Sequence, residues 1–387
     1  MGKEAALNSH SAILPRDRDL RNWDIENHSM WRYRNHLPVS KDTPIISLGE
    51  GLTPLLKARS GPAGMSLYLK NETVNPTGSH KDRTLSVSIT KAVELGHRTV
   101  MLYSDGSTAL SSAAYSARAG LRSFTLVPQG TPDYRLLPLA FYNSTIFEYQ
   151  GNAADALDWT REACAALGIY ETSTYRDVNP YGAEGPKTIS YEIVEQLGKA
   201  PAWVIVPVGG GGSLCAVWKG FRELHERGEI DRLPRMAAVL PAGFTLIETA
   251  YNRKLSIEGD LRSLVRKDMP ETIQVKTAMA YPPDGLETMA AMRDSNGQFF
   301  YASDAQVLQA QMMLGREGIF AEPSAACVMI AVEAISQMQL REEDAVVAVI
   351  SGSGYREIGA VVDLVKLQKH AIESDSGIDE LRKWLRK

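Results

Sequence analysis

Paired cysteines, long apolar runs and an excess of basic charge are all missing from this 387-residue chain. Its three cysteines, Cys164, Cys215 and Cys327, stand far apart without paired spacing, so neither a disulfide framework nor a metal site is expected. No apolar run approaches the roughly 18 residues a spanning helix needs, which argues against a membrane partner. A formal charge of −4 offers no positive field to draw nucleic acid or anionic lipid. The first residues lack a basic start followed by an apolar stretch, so the chain is expected in the cytoplasm. Internal repeats and glycine/serine linkers are absent too, and domain boundaries must come from connectivity. A small-molecule partner is the expectation that remains.

What is present fits a soluble α/β protein: 44% hydrophobic and 23% charged residues, with 31 glycines and length enough for two domains. From about Ser66, short apolar runs alternate with segments of helical period, the pattern of open, twisted, mainly parallel sheets with helices on both faces. The expected strands are Ser66–Leu69, Thr99–Tyr103, Ser123–Val127, Trp203–Val208, Met236–Leu240 and Ala345–Ile350. Helices are expected at Arg83–Leu95, Ser111–Ala119, Ala153–Leu167, Thr188–Leu197, Leu214–Leu224, Ala305–Arg316 and Ala325–Ser336. Residues 1–45, with Trp23, Trp31 and Tyr33, read as an arm packed on the body. The charged tail from Arg356, with Val361, Val362, Leu364, Val365 and Leu367, reads as an amphipathic closing helix or the cover of a dimer interface.

Four turns carry chemistry. Asn75-Pro76-Thr77-Gly78-Ser79-His80-Lys81-Asp82-Arg83 joins a strand to a helix and leaves Lys81 at the positive helix end. That end lowers an amine's pKa and favours the neutral form needed for imine chemistry, although alone such a lysine is as readily a surface residue. Val208-Gly209-Gly210-Gly211-Gly212-Ser213 follows a strand and precedes a helix, so its N–H groups can cradle a phosphate, a structural glycine turn being the plainer alternative. Its spacing is neither the dinucleotide fingerprint nor a nucleotide-triphosphate loop. Ser351-Gly352-Ser353-Gly354 closes another strand, where a hydroxyl can meet a heteroaromatic nitrogen without protonating it. Ser104-Asp105-Gly106-Ser107-Thr108 is a third strand-to-helix turn, suited to a substrate carboxylate.

In this order, and together with Trp31-Arg32-Tyr33, Leu48 to Leu55, Asn179-Pro180-Tyr181, Glu184-Gly185 and Glu322-Pro323-Ser324-Ala325, these elements resemble the threonine synthase family. The resemblance runs from about Trp31 to Glu357, and that family belongs to the fold type II pyridoxal-phosphate (PLP) enzymes. It implies two sheet domains: a large PLP-binding one from residues 1–95 plus 175–387, and a small mobile one from residues 96–174. It further implies that Lys81 holds PLP as a Schiff base and moves the substrate's α-proton, that Gly209, Gly210, Gly211, Gly212 and Ser213 cradle its phosphate, and that Ser351 faces its ring nitrogen. A neutral partner there favours β- or γ-elimination and replacement on an amino-acid substrate over transamination. A homodimer is the family's common state.

Departures from the family pattern fall on the cofactor and substrate surface. Ser107 stands where an asparagine meets the cofactor's phenolic oxygen, and His80 stands where a phenylalanine precedes the lysine. His80 is read as a second acid/base or as a space-filling ring. Ser353 replaces a histidine. Near Asn179, a substrate residue by resemblance, the arginine that grips the phosphate of O-phosphohomoserine is Gly182, while its helpers are Arg176 and Asp177. Arg176 either restores the charge from a new direction or pairs with Asp177, in which case a substrate without phosphate is used. Ser104, Asp105, Gly106 and Thr108 complete the expected substrate surface. A catalytically silent, ligand-binding or partner subunit of the same fold is the alternative, and the retained Lys81, glycine loop and Ser351 speak against it.

Overall fold

The computed structural model describes residues 23–255, 258–265 and 268–362, with residues 364, 365, 369 and 382 beyond them. The closing helix expected of the tail falls largely outside these residues, as does the arm before residue 23; from Gly354 to Ala360 the chain makes only short 3-10 turns.

Strands β1 (Leu55–Lys57), β2 (Ser66–Asn71), β7 (Trp203–Pro207), β8 (Arg235–Pro241), β9 (Gln298–Ala302) and β10 (Ala345–Ile350) form one sheet in the order β1-β2-β10-β7-β8-β9. Only β1 runs antiparallel; β10 lies parallel to both β2 and β7, with Ala345 opposite Ser66 and Val346 opposite Trp203. A second, all-parallel sheet has the order β5-β4-β3-β6, from β3 (Thr99–Tyr103), β4 (Arg122–Pro128), β5 (Thr145–Tyr149) and β6 (Tyr170–Glu171).

Alternation of side chains across the pleat explains why the central strands are apolar throughout. Val204 and Val206 of β7, Met236, Ala238 and Leu240 of β8, and Val347 and Val349 of β10 enter one core. That core is shared with helices α5 (Thr188–Leu197), α6 (Gly212–Glu226), α7 (Leu246–Asn252), α8 (Glu258–Arg262) and α9 (Gly285–Asp294). The intervening Trp203, Ile205, Ala237, Val239, Val346 and Ala348 enter a second core with α10 (Asp304–Arg316), α11 (Pro323–Ala326) and α12 (Met329–Ser336). A sheet covered on both faces has no polar side to show. Residues 325–336, expected as one helix, break between α11 and α12 because Ile330 and Ala331 bond three residues back rather than four.

Helix α1 (Lys81–Glu94) packs Leu85 and Ile89 against Val100 of β3 and Ala114 and Tyr115 of α2 (Ser107–Ala119). Helices α3 (Asp133–Phe141) and α4 (Ala153–Leu167) complete the cover of the small sheet, through Leu139 against Ala109 and Ala113, and through Ala156 and Cys164 against Met101 and Leu126. Beneath α1 lies a fully buried ion network. Arg83 bonds both Glu72 and Glu192, and Lys70 bonds Glu192 at 2.6 Å. The arm closes over it: Trp31 donates to Glu50 at 2.8 Å, and Glu50 also accepts from Tyr115. Gly51 needs its φ of +90°, and a Cβ there would sit 2.6 Å from the Met30 backbone. Glu50 to Thr53 therefore anchor the fold behind α1.

Candidate active site

The carboxyl ends of β3, β7 and β10 open into one cavity of about 270 Å³, with Lys81 on its wall. Ligands of open α/β sheets gather at such ends. The turn before α1 is pinned on each side of the lysine. Thr77 N donates to Asp82 at 2.7 Å, the Ser111 hydroxyl bonds the other oxygen of that carboxylate, and Arg83 turns into the buried network. Gly78 adopts a φ of +78°, and a Cβ would meet Arg356 and Ser353 at 3.2 Å. Lys81 faces the cavity, its Nζ 3.5 Å from Thr174 Oγ1, the outer limit of a hydrogen bond. Burial pushes this amine below the ordinary lysine value, with Asp284 and Glu322 pulling it partway back. A neutral amine, the nucleophilic form, is within reach.

His80 lines the same cavity, but both its nitrogens are taken. Nδ1 lies 3.0 Å from the Ser351 carbonyl, to which it donates, leaving Nε2 to accept from the Ser213 hydroxyl at 2.7 Å. Burial, with the charge of Lys81, pulls its pKa down to about 3, so the ring stays neutral. Through these two bonds the histidine clasps the end of β10 to the glycine loop.

That loop leaves no room for side chains. A Cβ on Gly209 would lie 2.9 Å from Thr277 Cα, and one on Gly212 would lie 2.7 Å from Asp284 Oδ2; Gly211 has a φ of +99°. Gly209 to Gly212 and Ser213 instead present the uncapped N-terminus of α6 to the cavity. Ser104, Asp105, Gly106, Ser107 and Thr108 line it from the other sheet, where Gly106 likewise gives α2 no side-chain cap. Ser351 closes the wall at the end of β10; its carbonyl is taken by His80, which leaves its hydroxyl for a ligand.

Three expected substrate residues do not reach the cavity. Arg176 is buried against Glu184 at 3.5 Å, in a cluster with Lys187 and Lys219. Asp177 pairs on the surface with Arg161 at 3.1 Å, so the two residues do not pair with each other either. Asn179 donates to Ser88 at 2.8 Å and accepts from Tyr170 and Gly182, and a Cβ on Gly182 would lie 2.8 Å from its amide nitrogen. The backbone here turns Thr174 and Tyr175 toward the cavity and Arg176 away.

The facing wall adds Lys276, Thr277, Met279 and Asp284, to which the sequence assigned no role, and Glu322 and Ser324 of the Glu322-Pro323-Ser324-Ala325 motif. Burial pushes the Asp284 carboxyl up to about 6, with Arg176 opposing, and raises that of Glu322, whose Oε2 has no hydrogen-bond partner. A glycine cradle at a helix N-terminus, an amine with a lowered pKa and a serine hydroxyl at a strand end fit the phosphate, aldehyde and ring nitrogen of PLP.

Known proteins agree. Residues 46–352 match the family described as pyridoxal-phosphate dependent enzyme. The threonine synthase of Methanocaldococcus jannaschii is 35% identical over 86% of this chain and 82% of its own. That of Synechocystis sp. is 37% identical over 84% and 82%. Among solved structures, a processed threonine deaminase from Solanum lycopersicum superposes with a TM-score of 0.68 at 20% identity, over 81% of this chain and 88% of its own. Maize serine racemase gives a TM-score of 0.66 at 19% identity, over 86% and 92%, and supports the fold alone. The chain belongs to the pyridoxal-phosphate dependent enzymes of fold type II, as a threonine-synthase-like member whose cofactor is PLP.

Proposed function

We propose that this enzyme eliminates or replaces a β- or γ-substituent other than phosphate on an amino acid. The observation that carries the reading is the meeting of Lys81, the glycine loop and Ser351 in one cavity where Arg176 is turned away. PLP supplies the electron sink that labilises bonds at the amino acid's α-carbon. Gly209 to Ser213 hold the cofactor's phosphate, Ser107 lies toward its phenolic oxygen, and the Ser351 hydroxyl accompanies its ring nitrogen without protonating it. Lys81 takes the α-proton and returns it. The turn from Ser104 to Thr108 orients the substrate's carboxylate with its N–H groups. Residues 96–174 are the small domain that moves against residues 1–95 plus 175–387 and shuts water out.

The substrate part rests on charge. With Gly182 in place of a guanidinium and Arg176 committed to Glu184, a phosphate leaving group has no bidentate partner here. A homodimer is supported by the exposed apolar side chains of Leu137 and Phe141, and the cytoplasm by three buried, unpaired cysteines. The test is to give purified, PLP-loaded protein O-phospho-L-homoserine and measure inorganic phosphate and threonine. Yellow protein that releases neither is expected; release with threonine would overturn the leaving-group assignment and leave the cofactor site standing. Lys81→Ala should lose the borohydride-fixable link to the cofactor and cut turnover on the first accepted substrate by on the order of 10³.

A further inference from the structure

A cation that the sequence did not signal spans this cavity. The backbone of Lys276 packs on the glycine loop, its carbonyl oxygen 3.2 Å from where a Gly209 Cβ would be, and its N–H donates to Ser324 Oγ at 3.1 Å. From there the side chain runs along the opposite turn. A Cβ on Gly106 would meet Lys276 Nζ at 2.6 Å, Cε at 3.3 Å and Cδ at 3.4 Å. Gly106 directly precedes α2, a 13-residue helix without a side-chain cap. The ammonium thus lies at the helix end whose orphan N–H groups face the cavity.

Its position is fixed. Glu357, 3% exposed, accepts from Lys276 Nζ at 2.6 Å on one oxygen and from Arg135 Nη2 at 2.9 Å on the other. Arg135 in turn holds Asp105, the residue before Gly106, at 2.8 Å. The network fixes the turn and the ammonium relative to each other. Glu357 takes up one of the ammonium's three protons, which leaves donors for a ligand in the cavity.

We propose that Lys276 is a specificity-determining residue that receives the α-carboxylate of the amino-acid substrate at the turn from Ser104 to Thr108. This rests on the PLP reading of the cavity. An amino acid whose nitrogen is taken up at the Lys81 end carries its carboxylate on the adjacent carbon, and an anion so placed needs a partner in the same enclosure. Backbone N–H groups give that partner its direction, and the ammonium gives it full charge. The cavity thereby tells an amino acid from the amine left when its carboxylate is removed.

The test uses PLP-loaded protein and the shift of its visible absorption band. L-Serine, L-homoserine and O-phospho-L-homoserine are titrated beside the amines they would give without the carboxylate. Lys276→Met should keep its PLP content and yellow colour, weaken amino-acid binding by roughly 10- to 100-fold, and leave amine binding unchanged. Lys276→Arg, which keeps the charge, should recover part of the loss. Equal binding by wild type and Lys276→Met, or a loss shared by amino acid and amine, overturns the assignment while the cofactor reading stands. A yellow wild type whose band no amino acid shifts overturns the amino-acid reading of the cavity, and this assignment with it.

Discussion

A carboxyl group beside a glycine cradle has a poor place to ionise. The Asp284 carboxyl lies against Gly212, accepts from Arg176 N at 3.1 Å, and is pushed by burial from 3.8 up to about 6. Because the folded value is raised, this group favours the fold most below the unfolded pKa, and the advantage is lost as the pH rises through about 6. A shift of that size is worth about 3 kcal/mol. Asp284→Asn cannot ionise and keeps the oxygen that accepts from Arg176. It should therefore resist urea better than wild type by about 3 kcal/mol at pH 7.5, the gap shrinking to about 1 kcal/mol at pH 4.5. A gap that is the same at both pH values would show that this carboxyl does not titrate there. Lys276 was not visible in the sequence, and neither was a role for Asp284; the reason is local. The segment from residue 270 to 284 has no apolar period and makes no strand, so nothing in its pattern says which side chains turn inward. Lys81, by contrast, was legible because its neighbours are turn formers and cap residues whose placement follows from chemistry.

Among the elements, those with both faces or one broad stripe buried were legible. Strands β7, β8 and β10 read as unbroken apolar runs because two cores take alternate residues. Strand β9 and strand β5 were not expected: they lie at sheet edges, and most of their residues keep part of their surface exposed, which blurs the alternation. Helix α3 was hidden by Pro138 inside it. The placement of α1 was read as a turn geometry, whereas its anchor is ionic and long-range: Arg83 joins Glu72 and Glu192, which are far apart in the chain. Such partners leave no trace at short spacing. Arg83→Met would leave both carboxylates buried with Lys70 as the cation still bonded to Glu192, while Glu72 would keep only the neutral donors Thr53 and Asn75. It should cost about 3–5 kcal/mol in urea unfolding. Since Arg83 lies two residues beyond Lys81, the variant should also release PLP more readily on dialysis. A variant that unfolds early yet keeps PLP as tightly as wild type would detach this network from the site.

At the scale of the whole molecule, the two sheets meet across the cavity, so anything that joins them also governs access to it. Among the described residues the charged ties are few, the exposed pair of Arg161 and Asp177 being one. Arg135 of α3, under the small sheet, reaches Glu357 beyond β10, and the ammonium of Lys276, whose backbone packs on the glycine loop, lies on the small sheet's Gly106 turn. The Tyr134 hydroxyl adds a contact near Gly359, where a Cβ would be 3.0 Å away. In the proposed division, residues 96–174 close on the substrate, and the Arg135 tie must yield or re-form as they do. Arg135→Gln removes the tie without stranding Glu357, which still holds Lys276. Partly buried ion pairs of this kind are worth on the order of 1 kcal/mol, so amide exchange across β3 to β6 should accelerate roughly fivefold in the variant. Addition of an accepted amino acid should then slow exchange in the same strands of both proteins, because closure is driven by substrate contacts at the Ser104 turn. Exchange that is equally slow in wild type and variant, with or without the amino acid, would mean that the two sheets form one rigid body and that substrate enters without any movement between them.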